Sequence, residues 1–466
     1  MKLSKRSIFL LVPILILFLS FSSVWAAPKG KVTIAVAIPM GMDIFNFKSG
    51  VGSVALKTVY QEMTTVNTEG TDRAPNLATS WKLSDDGKSI RFDLDKRAVF
   101  HNGDPVTAKD VRFSWEQYTA GTSSFKRVAR TIADVQIIDD HTVVFVLKRP
   151  DADWLWELTR VPIGSKNYFE KVGAKKFNKE PIGSGPFRFV SRDPGTSVVL
   201  EAVDNHWFKT PEFKTLKFMI VPDAVTRMAL LEKGTIDMTY PVDPFLVKRL
   251  SKNKKIKIKT VSVPSYFGLA FNSSTFPIME DKNLRLAINY AVNRQEICDE
   301  IFMGKGYPLY YFASKAEPGF DPSIKYEYNP EKAKELLKNS SYKSGTTLIM
   351  AYTEQLPSGN LVSAAVQDYL KNVGITVKVQ KVERATYMKL GLKRDPLLGE
   401  LPFFVWPGGK SPTSRLFMGL LTKGKGAAGL WSLWKGRPAI DKLIMAQSVQ
   451  IDEAKRIKML RKIAAM

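Results

Sequence analysis

With 466 residues and 44% apolar content, the chain can bury two or three hydrophobic cores. Its net charge of +24 is spread along the sequence without any RNA- or DNA-module signature, so nucleic-acid binding is set aside and attraction to an anionic membrane surface is the milder use of the charge. One cysteine, Cys298, excludes an internal disulfide and reads as a buried small hydrophobe; three scattered histidines, His101, His141 and His206, leave no constellation for metal hydrolysis or phosphate transfer.

The N-terminus carries Lys2, Lys5 and Arg6 ahead of an apolar run from Ile8 to Phe21, with Val24 and Ala26 as small residues beyond it. That is the pattern of a secretory signal peptide over residues 1–26; a retained anchor is the alternative, although the run is short for a membrane span. Without it 66 basic residues face 45 acidic ones, a charge of +21. KVTIAVAI, 31–38, reads as a strand leading into the loop PMGMDIFNF.

The stretch from Trp81 to Trp115 holds the clearest local signals. Trp81 and Leu83 alternate with polar residues, as do Ile90, Phe92 and Leu94, and Asp86-Gly87 between them supplies a hairpin turn. After a second turn at Asn102-Gly103, Thr107 stands as a helix cap with Asp110 three residues on, and Val111, Trp115 and Tyr118 share one helical face. HTVVFVLKRP, 141–150, is a further strand, followed by a helix-like stretch with Trp154 and Trp156, read as packing or as ligand platforms.

At PIGSGPFRF, 181–189, the glycines suit a chain crossing a crowded junction. Gly183-Ser184-Gly185 lacks the elbow pattern of a catalytic serine. Lys217–Val221 reads as a strand, Pro222-Asp223 opens a helix ended by Gly234, and Ile236–Met238 is a short strand. The basic cluster from Lys248 to Lys259 ends in an alternation read as a strand with a solvated lysine face. Beyond it come helices from Asp281, from the Asn329-Pro330 cap and over 362–373, the last stopped by Gly374 before the alternating Ile375, Val377 and Val379. This helix–strand alternation predicts an α/β lobe. Gly424, Gly426 and Gly429 form a glycine string read as a flexible loop, and one helix is expected from Ile440 onward.

The run PNLATSWKLSDDGKSIRFDLDKRAVFHNGDPVTAKDVRFS, 75–114, resembles the signature segment of the extracellular solute-binding proteins of family 5, receptors that deliver peptides, nickel complexes and some sugars to ABC importers. PIGSGPFRF, the Asn-His-Trp element at 205–207, the helix–glycine–strand unit ending in Asp237 and the helix DKNLRLAINYAVNRQEI are similar to further motifs of that family. The resemblance implies an α/β, two-lobed periplasmic binding protein fold of type II, in its large three-subdomain variety, with mixed sheets and a hinge cleft. It divides the chain into residues 1–26 as leader, 27–49 and 181–268 as lobe I, 50–180 as an extra subdomain of lobe I and 269–466 as lobe II, with the family's C-terminal return to lobe I expected to be missing.

The same resemblance points to site residues. The loop after the first strand contributes to the cleft in the family, so Met40, Asp43 and Phe45 are candidates, with ordinary core as the alternative. Tyr266 and Phe267 lie at the expected lobe crossing. In peptide-binding relatives a tryptophan is followed three residues later by an aspartate that clamps the ligand's amino group. Here Trp406 is followed by Gly409, with Lys410 and Arg415 beyond. The expected cargo therefore needs no free amine and offers acceptors or negative charge to Lys410 or Arg415, with Trp406 as a stacking face; a loop merely shaped by these residues is the alternative.

The implied function is the periplasmic substrate-binding component of an ABC importer, closing its lobes on a peptide-like or other small solute and passing it to an inner-membrane permease. A monomer without cofactor, metal, nucleic acid or, since no cysteine follows the leader, a lipid anchor is expected. A secreted hydrolase or a periplasmic chaperone using the same cleft are the alternatives.

Overall fold

The computed structural model describes residues 27–37, 41–46, 53–67, 72–123, 125–153, 156, 161–261, 265–315, 317–353, 358–393, 395–407, 412–422, 435 and 437–466. The predicted leader, Trp154 and the glycine string at 424–429 lie outside them.

The strands in chain order are β1 (Lys31–Val36), β2 (Thr64–Val66), β3 (Arg73–Pro75), β4 (Ala78–Leu83), β5 (Ser89–Leu94), β6 (Ile132–Asp139), β7 (Thr142–Leu147), β8 (Phe187–Asp193), β9 (Ser197–Ala202), β10 (Thr215–Ile220), β11 (Met238–Tyr240), β12 (Ser265–Leu269), β13 (Thr347–Tyr352), β14 (Thr376–Lys381) and β15 (Phe403–Pro407). A five-stranded mixed sheet runs β11-β1-β10-β9-β8, with β1 parallel to both neighbours and the rest antiparallel. A four-stranded antiparallel sheet runs β4-β5-β7-β6. The parallel pair β13-β14 and the antiparallel pair β12-β15 stand apart from both.

In the β4-β5 hairpin Gly87 takes a φ of +68°, the left-handed region its turn demands. Trp81 pairs with Phe92 and Leu83 with Ile90. Ile90, Phe92 and Leu94 are buried and Trp81 packs partly against their core, while Leu83, at the end of the edge strand β4, is exposed. The helix Ala108–Ala120 packs on this sheet through Val111, Trp115 and Tyr118, and Trp115 meets the Phe145 ring edge-on at 5.2 Å. Its start is fixed as the pattern predicts: Asp110 Oδ2 accepts from the Thr107 backbone N–H and hydroxyl, each at 2.9 Å. Fully burying a side chain such as Phe92 contributes about 1.5–3 kcal/mol.

Both sheets share one large core, running from Val36 to Phe218 in sequence. A second core, from Met279 to Phe403, gathers β13, β14, β15 and the helices Lys282–Ala291 and Gly359–Asn372. A smaller cluster joins Leu416, Phe417, Ile440, Ile444 and Leu460.

Two predicted elements differ. Residues 254–259 form no strand; the segment has no strand to pair with, and Ile256 anchors it instead against a small cluster around Met228 and Leu250. The C-terminal helix is two helices, Pro438–Ser448 and Glu453–Ala465, because Asp452 accepts from the Lys455 N–H at 3.0 Å and so caps a new one. Cys298 is buried, and burial pushes its thiol up to about 11, out of the reactive range.

Candidate functional site

The loop after β1 is built by Asp43. One carboxylate oxygen accepts from the Phe45 and Asn46 N–H groups at 3.1 and 3.0 Å, the other from the side-chain amides of Asn46 and Asn178 at 3.0 and 2.6 Å. This is an Asx-type turn tied to the helix Lys166–Lys179. Phe45 follows inward, stacked on Phe177 at 5.5 Å and edge-on to Phe113, Tyr118 and Phe169. Of the two readings open for Phe45, the geometry matches core packing. Asp43 and Phe45 do border a hollow of about 240 Å³, together with Gln117, Gly121, Phe169 and Asn178. Met40 lies outside the described residues.

The β12-β15 ribbon sets Tyr266 opposite Trp406 and Phe267 opposite Val405. Phe267 packs into the second core, its ring 5.2 Å from Phe302 and 6.3 Å from Phe403. Successive strand residues face opposite sides, so Tyr266 turns away from that core, to the other face of the ribbon. Phe267 thus supports the ribbon from behind. Trp406 and Arg415 are placed by their backbones, in β15 and in the helix Pro412–Gly419. Gly409 and Lys410, between them, lie outside the described residues.

The crossing at 183–185 is tightly held. His101 Nε2–H donates to the Gly185 carbonyl at 2.8 Å and Nδ1 accepts from the Gly183 N–H at 3.3 Å. His206 Nε2–H and Trp207 Nε1–H both donate to the Ser184 carbonyl, at 2.9 and 3.1 Å. A carbonyl can only accept and an N–H only donate, so His101 is the neutral Nε2–H tautomer. Burial lowers its pKa to about 4 and also lowers that of His206. Ser184 is fully buried, and His206 engages its carbonyl rather than its hydroxyl. The geometry offers no activated nucleophile there.

A second hollow, about 140 Å³, was not singled out from the sequence. Arg294, Tyr310, Tyr326 and Tyr328 border it on the second core, with the Arg294 guanidinium 5.4 Å from the Tyr310 ring centre. The tyrosine-rich run from Tyr307 to Tyr328 was the available signal. Among the described residues no group of histidine, cysteine and carboxylate side chains could hold a metal ion, and no helix is long and apolar enough to cross a membrane.

The model of the bacterial extracellular solute-binding proteins, family 5 middle, matches residues 73–418. The chain belongs to this family. Solute-binding protein family 5 works with ABC permeases and binds peptides or other small solutes, so this member is the substrate-binding component of an importer and not an enzyme. The chain is 28% identical to the dipeptide-binding protein of Escherichia coli (strain K12) over 459 residues, covering 91% of this chain and 84% of that one. The periplasmic binding protein DppA from Helicobacter pylori, solved with the peptide STSA, superposes with a TM-score of 0.78 at 26% identity, covering 94% of this chain and 90% of that one. CtaP from Listeria monocytogenes gives a TM-score of 0.84 at 23% identity, with the same coverage. The fold is the two-lobed one of periplasmic binding proteins.

Proposed function

We propose that this family 5 receptor takes a peptide-like solute whose amino end needs no carboxylate clamp, and that the Tyr266 face of the β12-β15 ribbon is one wall of its site. Tyr266 and Trp406, in register on adjacent strands, carry this reading: aromatic residues suit one wall of a solute site, and Gly409, Lys410 and Arg415 follow Trp406 within nine residues of sequence. In this reading Asp43, on the loop that follows β1, belongs to the opposite lobe. The extended names of relatives, dipeptide- and di/tripeptide-binding proteins among them, support the peptide class. The lobes would comprise residues 27–49 with 181–268, the insertion 50–180, and 269–466; the mixed sheet joining β1 to strands after residue 186 supports that division. The receptor would act as a monomer without nucleic acid, after export on the leader at 1–26.

With glycine at 409, an ammonium group buried there would stay uncompensated, at a cost of roughly 3–5 kcal/mol when one partner of a pair is missing. Isothermal titration with a panel of dipeptides and their N-acetyl forms tests this. Acetylated and free peptides are expected to bind within about threefold of one another, near the micromolar affinity that corresponds to about 8 kcal/mol. Sub-micromolar binding that disappears on acetylation would refute it.

A further inference from the structure

The segment after β7 meets the C-terminal helices at a buried polar junction, where the Ala152 N–H also donates to the Ser448 carbonyl at 2.8 Å. Asp153 lies in the loop after β7, on the first core's side. Its Oδ1 accepts from Arg456 Nη2 at 2.5 Å and its Oδ2 from the Thr413 N–H at 2.9 Å. Arg456, in the helix Glu453–Ala465, spends its other donors on the same junction: Nε to Gln447 Oε1 at 3.2 Å and Nη1 to the Ala152 carbonyl at 3.3 Å. Thr413 Oγ accepts from Arg456 Nη2 and from Gln447 Nε2, both at 3.0 Å. The side chains of Asp153 and Arg456 are only 3% and 8% exposed, so this pair is shielded from the solvent that weakens surface ion pairs.

The partners of the ion pair lie 303 residues apart in sequence, and each is fixed to its own side. On the first side, the Arg73 guanidinium of β3 sits 4.3 Å from the ring centre of Trp156, three residues beyond Asp153. On the other side, Gln447 and Arg456 ride the two C-terminal helices, whose Ile444 and Leu460 share a core with Leu416. Thr413 stands three residues beyond Lys410, on the chain that leaves the β15 wall. A movement between the lobes must break the Asp153 bonds or be stopped by them.

We propose that Asp153, Thr413 and Arg456 form an interlobe latch which sets the closed population of the receptor, and through it solute affinity, without touching the solute. The inference rests on the receptor reading above. A fully satisfied buried pair is worth keeping only while the lobes are together; in the open form both charges return to water, so the latch biases the equilibrium by whatever the buried geometry supplies over hydration. Ligand binding and latch closure then favour each other.

The test is the distance between spin labels on cysteines introduced at the exposed Lys96 and Lys371, in a Cys298→Ala background, read by double electron–electron resonance on the full chain without solute. The wild-type arrangement should show a shorter-distance population that falls at least tenfold in Asp153→Asn and Arg456→Met. Arg456→Lys, which keeps the charge and loses the forked donors, should fall between, and guards against a variant that fails to fold. Distances unchanged across all variants overturn the latch, as does a single distance in the wild type. Dipeptide binding is read on the same samples. Peptide binding with unmoved distances overturns the latch and leaves the receptor reading standing; distances that move in a protein binding no peptide support the latch and count against that reading.

Discussion

Gly183→Ala is expected to destabilise the protein by about 3 kcal/mol or to prevent folding. A Cβ at this position would lie 1.9 Å from the Val59 carbonyl oxygen and 2.7 Å from its carbon, both backbone atoms in a segment that cannot turn aside as a side chain could. The loop would have to lift away. That movement breaks the Gly185 N–H to Val59 carbonyl bond of 2.8 Å and the Gly183 N–H to His101 bond, at the point where the chain passes from the four-stranded sheet to β8. Gly268→Ala is the control: nothing lies within 4 Å of its Cβ and the backbone is a strand, so a change within about 1 kcal/mol is expected. Denaturant titration of the two variants reads the difference, and equal midpoints would contradict the packing described.

Acidification acts on the same crossing. His101 is held neutral, with a folded pKa of about 4 against the usual 6.5, because burial penalises its charged form and its Nδ1 must accept from the Gly183 N–H. Between those values the unfolded chain binds the extra proton and the folded one does not, so stability falls as pH falls. The His101 contribution is complete above pH 6.5 and gone below about 4, a total of about 3 kcal/mol. His101→Gln keeps a donor for the Gly185 carbonyl and removes the titration. Between pH 7 and 4 the wild type should therefore lose about 3 kcal/mol more stability than the variant, and parallel curves would show that His101 carries no such share.

The sequence showed most of the framework because its signals are local. The Asp86-Gly87 turn, the Thr107–Asp110 cap, the Asn329-Pro330 start and the glycine at 374 each act within a few residues, and each lies where its chemistry places it. The lysine alternation at 254–259 misled because a strand exists only through a partner, which alternation cannot supply. Phe45 could not be resolved between cleft and core, since its neighbours Phe113, Phe169 and Phe177 come from helices far along the chain. The Asp153–Arg456 junction left no trace in any local pattern: an aspartate in a loop and an arginine on a basic helix look like solvated charges until the two cores meet. The candidate wall was half legible. Tyr266 and Trp406 were both picked out, yet their pairing across 140 residues of sequence, and the inward turn of Phe267 between them, belong to the ribbon alone.

Closure of the lobes on a small solute that is released unchanged makes the complex more compact than the empty receptor. Small-angle scattering tests this most directly, using the solute extracted from protein purified from its own host, removed by mild denaturation and then added back to the refolded chain. A smaller radius of gyration on addition, saturating at one equivalent, is the predicted result. Scattering that stays the same at saturation, with the solute bound, would contradict it.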